Sequence, residues 1–155
     1  MNSFMRCVSR TARCASLYRG EKLEKLGLNG CHHTYILAIC RTPGISQEQL
    51  SRTIYINKSN VTRQLTFLEQ NGFVTRTPDG EDRRIMRVYP TQKALDAYPV
   101  VLEVLEQWQD FVMEDLSPEE REELTRLMQR VNEKAAAYAE GRLAPKERRE
   151  GGEVR

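Results

Sequence analysis

Long hydrophobic runs are missing from this 155-residue chain. The longest uninterrupted apolar stretch, Tyr35 to Cys40, is six residues, against the roughly 18 that a membrane-spanning helix needs. The N-terminal residues carry arginines where a secretory signal needs an apolar segment, so the chain reads as cytoplasmic, with no membrane partner. Metal ligands are scarce. The two histidines, His32 and His33, are adjacent, and on a helix their side chains point about 100° apart, a poor ligand pair. None of the four cysteines (Cys7, Cys14, Cys31, Cys40) belongs to a CxxC pair, which removes zinc knuckles and thioredoxin-like motifs. A glycine-rich phosphate loop and a nucleophile elbow are also absent, so neither enzyme activity nor a cofactor is expected.

What is present suits a soluble, helix-rich protein: 39% apolar and 30% charged residues, in a length expected to form one domain. The net charge of +2 is unevenly spread. Residues 1–30 are net +4, residues 55–95 net +3 and residues 96–140 net −8. A basic segment beside an acidic helical one fits a protein that turns one face toward phosphates, although acidic helices are also simply well solvated.

Apolar spacing predicts an amphipathic helix over residues 3–18 through Phe4, Val8, Ala12, Ala15 and Tyr18. A second helix is expected from an Asn29 cap to Arg41, and Thr42-Pro43-Gly44 breaks the chain. Ser46 and Gln49 form a capping box for a short helix ending near Thr53, and Asn57 caps the next, which buries Val61, Leu65 and Leu68 and stops at Gly72. Phe73–Thr77 and Arg83–Tyr89 read as a hairpin around Pro78-Asp79-Gly80. Thr91 opens a helix that Pro99 is expected to kink or divide, and Ser117-Pro118-Glu119-Glu120 starts a last helix with Leu124, Leu127, Val131, Ala135 and Tyr138 on one side. Residues 141–155 are expected to be a disordered tail. The fold class is therefore mainly α with a small β-hairpin wing (α+β), a winged helix-turn-helix. The reader spans about 29–90 of a domain reaching residue 140, and the helices at about 3–18 and 91–140 frame it.

With Val61, Leu65 and Leu68 inward, the opposite face of that helix carries Ser59, Arg63, Thr66 and Gln70, flanked by Asn60 and Thr62. These are side chains of the kind that read a major groove, Arg63 being suited to guanine and Asn60 or Gln70 to adenine. Two arginines at the hairpin tip, Arg83 and Arg84, suit an electronegative minor groove, with Asp82 as support, and Lys58 and Arg76 suit neighbouring phosphates. The residues assigned to double-stranded DNA are Ser46, Lys58, Ser59, Asn60, Thr62, Arg63, Thr66, Arg83 and Arg84. The alternative is a winged helix used to dock another protein, which would favour an apolar outer face.

The segment from Pro43 to Arg84 resembles the MarR (multiple antibiotic resistance regulator) family. The most specific pieces are Pro43-Gly44-Ile45-Ser46, Lys58-Ser59-x-Val61-Thr62-Arg63, Leu68-Glu69-x-x-Gly72 and Asp79-x-x-Asp82-Arg83-Arg84, within a likeness that reaches from residue 3 to about 139. The resemblance implies a homodimer with interlocked terminal helices. It also implies a regulator, usually a repressor, that leaves DNA when a small molecule or oxidant arrives. It places Ser59, Thr62 and Arg63 on the recognition helix, Arg84 on the wing arginine and Asp82 on its partner. Tyr89-Pro90-Thr91 and Pro99 depart from the family pattern. Cys7 and Cys14, on nearly one helix face, are candidates for redox sensing or else two small core residues. Tyr18 and Tyr35, with Trp108 or Phe111, are candidates to line a crevice for an aromatic or amphipathic effector, or else core aromatics.

Overall fold

A computed structural model describes residues 3–143. Contacts divide the chain into two compact units, one up to Asp115 and one from Leu116 onward. The first contains α1 (Phe4–Leu23), α2 (His33–Arg41), β1 (Ile45–Ser46), α3 (Gln47–Ile54), α4 (Lys58–Gln70), β2 (Val74–Pro78), β3 (Met86–Pro90) and α5 (Gln92–Val112). The second contains α6 (Pro118–Leu143). Residues 141–143 are thus helical, and the rest of the expected tail lies outside the described residues.

The capping chemistry works as the residue types dictate. The Ser46 hydroxyl accepts the Gln49 N–H, and the Gln49 side chain accepts the Ser46 N–H, each at 3.1 Å. Asn57 Oδ1 accepts the Asn60 N–H at 2.9 Å, and Ser117 and Glu120 exchange the same reciprocal pair at the start of α6. Asn29 does not cap α2. Its Oδ1 takes the Cys31 N–H instead, and a further turn of chain separates it from a helix that begins at His33. Between α3 and α4 the chain turns at Tyr55, a non-glycine residue held in the left-handed region at φ 55°.

The hairpin is longer in partners than the sequence suggested. β3 lies between β2 and β1, with Arg76 opposite Val88 on one side and Ile45 opposite Val88 on the other, both pairings antiparallel. Gly44 makes the β1 entry possible. It sits at φ +83°, and a Cβ there would press on the Tyr89 ring at 3.2 Å, which gives the Tyr89-Pro90 departure a packing role. Arg83, Arg84 and Ile85 fall in the tip instead of the strand.

The core gathers Leu23, Tyr35, Ile36, Ile39, Leu50, Val61, Leu65, Leu68, Phe73, Val74, Val88 and Val101, contributed by α1 through α5. α5 runs unbroken through Pro99, an exposed position where the Leu95 carbonyl it leaves without an N–H partner can be hydrated. On α1 only Ala15 and Leu23 are buried, while Phe4, Ala12 and Leu17 are exposed. Cys7, Cys14 and Cys31 are likewise exposed, while Cys40 is half-buried and packs against the core, all four free of disulfides. The face of α1 that carries Cys7 and Cys14 is left uncovered by the described residues.

At the corner between α1 and α2, Arg19 Nε donates to the Gly30 carbonyl at 3.0 Å, and His33 Nδ1 lies 3.2 Å from the same oxygen. Burial, then the Arg19 charge, pushes the His33 pKa from 6.5 down to about 4, against the pull of the Gly30 hydrogen bond. The unfolded chain therefore binds more protons here than the folded one between those values. Stability contributed by neutral His33 is complete above about pH 6.5 and is lost as pH falls toward about 4. Thermal melts of wild type and His33→Asn should converge over that interval, the wild type losing several degrees that the variant does not lose.

Candidate nucleic-acid interface

The buried seam of Val61, Leu65 and Leu68 fixes the rotation of α4 and turns Ser59, Thr62, Arg63 and Gln70 fully outward, with Asn60 and Thr66 half-buried on the flanks. This row is carried on three turns of helix, so its spacing is rigid. Arg63 is exposed, and one Nη donates to Asn60 Oδ1 at 2.9 Å. Thr62 and Thr66 return their hydroxyls to the carbonyls of Lys58 and Thr62, which keeps both side chains close to the helix surface. Lys58, at the first turn of α4, reaches Glu48 of α3 at 3.3 Å while its side chain stays largely exposed.

The wing tip is organised by two carboxylates. Asp79 Oδ2 accepts the N–H groups of Glu81 and Asp82, each at 3.1 Å, and Asp79 Oδ1 accepts Arg87 Nε at 2.9 Å. The Arg87 hydrogen bond leads the causes that hold the Asp79 carboxyl below its ordinary range. Asp82 grips Arg84 in a fork, Nε to Oδ1 at 3.0 Å and Nη2 to Oδ2 at 2.9 Å, and takes the Arg84 N–H as well. The fork lowers the Asp82 pKa and raises that of Arg84. Arg84 remains 91% exposed, a charge presented on a support, and Arg83 beside it is exposed too. Between tip and helices runs a cleft of about 260 Å³ whose walls include Gln47, Lys58, Thr62, Arg84 and Ile85.

One assigned side chain, and one only expected near a phosphate, behave differently from a simple reading of their charge or polarity. Ser46 is buried, with its oxygen engaged in the cap of α3. Arg76, expected to neighbour a phosphate, is drawn inward. It makes a fork to Glu69 at 3.1 and 2.7 Å and adds hydrogen bonds to Thr66 Oγ1 at 3.2 Å and Gln47 Oε1 at 3.4 Å. Its side chain is only 16% exposed, and the fork is the leading reason that the Glu69 pKa is depressed.

Several contributors escaped the sequence reading. Gln47 bridges Arg76 and Thr62, donating to the latter at 3.4 Å, and so ties α3 to α4. Asp79 and Arg87 build the base of the wing tip. Glu69 was legible only as part of a motif. Its position seven residues before Arg76, across a glycine turn, is the signal that could have revealed the pair.

The aromatic candidates separate. Tyr35 belongs to the packed core, and its hydroxyl is a buried polar atom with no hydrogen-bond partner among the described residues, its pKa pushed up to about 12 chiefly by burial. Tyr18 of α1 meets Trp108 of α5 with ring centroids 5.1 Å apart, and Trp108 meets Phe111 at 6.0 Å. Phe111 is exposed. Among the described residues no group of three or more His, Cys, Asp or Glu could hold a metal ion.

Comparison with known proteins agrees with this geometry. Residues 32–86, which span α2 to the start of β3, match the model of the MarR family. The chain is 28% identical over 131 residues to the uncharacterized HTH-type transcriptional regulator YybA of Bacillus subtilis, covering 84% of this chain and 87% of that protein. A MarR transcriptional regulator from Methanosarcina mazei superposes with a TM-score of 0.82 at 26% identity, over 86% of this chain and 96% of that one. A putative MarR family regulator from Listeria monocytogenes, crystallised with a 26mer DNA, shares the fold at 22% identity and a TM-score of 0.81, over 94% and 98% of the two chains. Capped reader, forked wing arginine and these likenesses converge: over residues 32–86 and in its fold the chain is similar to winged helix-turn-helix transcriptional regulators of the MarR family.

Proposed function

We propose that this protein is a sequence-specific repressor that binds a pseudo-palindromic operator as a homodimer and leaves it in response to a small molecule or an oxidant. One observation carries the reading: a rigid outward row of hydrogen-bonding side chains on α4, centred on Arg63, stands beside a wing that presents Arg84. That face is polar, whereas a protein-docking winged helix would offer apolar residues there. The α4 row suits base edges in the major groove and Arg84 the adjacent minor groove, with Lys58 and the α4 N-terminus toward phosphates. The Listeria protein of the same fold was crystallised with DNA, which supports the assignment by likeness.

Pairing of two chains is supported by what the described residues of each unit leave uncovered. Phe4, Met5 and Leu17 of α1 are exposed. On α6, Leu124, Leu127, Met128, Val131 and Tyr138 are exposed at helical spacing, a stripe along a 26-residue helix. Stripes of this kind are stable in water when a second copy buries them. A two-fold dimer would set half-sites about one DNA turn, ~10 base pairs, apart. The Tyr18–Trp108–Phe111 row is where an aromatic or amphipathic effector would bind, and the exposed thiols of Cys7 and Cys14 are where an oxidant would act.

Fluorescence anisotropy with the DNA upstream of the protein's own gene tests the reading, beside light scattering of the free protein. The expected results are twice the chain mass and an affinity that drops at least about a thousandfold between roughly 50 and 200 mM salt, as several phosphate contacts require. Affinity that ignores salt, or equals that for random duplex at every salt concentration, would overturn it.

A further inference from the structure

The two adjacent histidines are a poor ligand pair for a metal, yet one of them lies behind the reading helix. His32, at the turn into α2, is fully buried. Its ring stacks on Phe67 of α4, with centroids 4.8 Å apart and planes inclined by 21°. Nδ1 accepts the Asn29 N–H at 3.1 Å, so the ring proton must reside on Nε2. Nε2 then donates to Gln64 Oε1 at 2.9 Å. With its oxygen committed, the Gln64 carboxamide has its NH2 for the far side, where it donates to Asn60 Oδ1 at 3.5 Å. The same Asn60 oxygen accepts from Arg63 Nη2 at 2.9 Å. The polarity of each bond in this series is fixed by the one before it.

We infer that His32 is a positioning residue for sequence reading: its single-tautomer ring sets the flip of Gln64, Gln64 sets that of Asn60, and Asn60 holds the Arg63 guanidinium before DNA arrives. Burial lowers the pKa of the ring and so keeps Nδ1 bare, the state that the Asn29 amide requires. A guanidinium held in advance loses less rotamer freedom on binding, which favours the one sequence that matches the held geometry.

The inference rests on the proposed reading of DNA by Arg63. His32→Phe keeps the aromatic stack and removes both ring hydrogen bonds. Gln64→Met keeps the side-chain length, removes both amide bonds, and covers the case in which the first variant folds poorly. The full-length variants are titrated with the mapped operator, with an operator altered at the base pair that Arg63 meets, and with random duplex. Discrimination should fall roughly five- to thirtyfold in each variant, with random-duplex affinity unchanged and no further effect of either substitution in an Arg63→Ala background. Equal losses on all three duplexes, or an undiminished effect in the Arg63→Ala background, overturn the positioning role, because a merely structural residue acts through the folded fraction. If Arg63→Ala abolishes discrimination while His32→Phe and Gln64→Met leave it intact, the positioning role alone is wrong. If Arg63→Ala itself preserves discrimination, the reading beneath it fails and this inference fails with it.

Discussion

Arg63→Ala is expected to shrink the affinity gap between operator and random duplex by roughly 5- to 150-fold, the equivalent of the ~1–3 kcal/mol that one bidentate arginine–guanine contact supplies. Arg63 stands exposed at the centre of the outward row, where among the described residues its guanidinium donates to Asn60 Oδ1. Stability should therefore stay within about 0.5 kcal/mol of wild type. Arg84→Ala is expected to act in another way. It removes a charge from an exposed tip and should weaken operator and random duplex together, with the salt slope reduced by about one. Titrations at three or more salt concentrations separate the two patterns. Parallel losses from both variants, or none from either, would contradict the division of labour between helix and wing.

The second large effect concerns Gly30, at the corner where α1 approaches the chain entering α2. A Cβ at this position would lie 2.2 Å from the Ser16 carbonyl oxygen and 2.8 Å from its hydroxyl, so backbone would have to move. The corner has little freedom to do so, since the Gly30 carbonyl is held by Arg19 and lies against His33. Gly30→Ala should cost about 3 kcal/mol, the upper range for overpacking, and lower Tm by ~10 °C. Gly20, one helical turn beyond Ser16, supplies the contrast. A Cβ there meets its nearest neighbour, the Gly30 nitrogen, at an ordinary 3.7 Å, and the residue lies inside α1. Gly20→Ala should stabilise by up to about 1 kcal/mol through helix propensity alone. Melts at one protein concentration should show opposite signs, and a loss from both would mean that the corner is more crowded than the Ser16 contact implies.

The parts legible in the sequence were those specified locally. Ser46, Asn57 and Ser117 cap their helices because a cap needs only the next three residues, and Val61, Leu65 and Leu68 orient α4 because their spacing repeats within one element. The parts that were not legible depend on partners far along the chain. β1 is two residues long and exists because Val88 lies opposite Ile45, so no periodicity announces it. Arg76 carries a charge that suits a phosphate, yet Glu69, Thr66 and Gln47 together take its donors. The α1 stripe suggested buried cysteines, but a stripe reports that a face is covered without reporting by what. His32 offered only its residue type, and its part in the reading face depends on Phe67 and Gln64, more than thirty residues away.

Lys58 on Glu48, Arg84 on Asp82 and Arg63 on Asn60 are each held by an internal acceptor while keeping further N–H donors free. Under the proposed reading, a duplex that fits the held geometry would be met with these bonds intact, and an arbitrary stretch of chromosome only by breaking them. A matching sequence would engage all three in a single arrangement. The protein would thus give up some of its general stickiness, and searching and settling would become separable events.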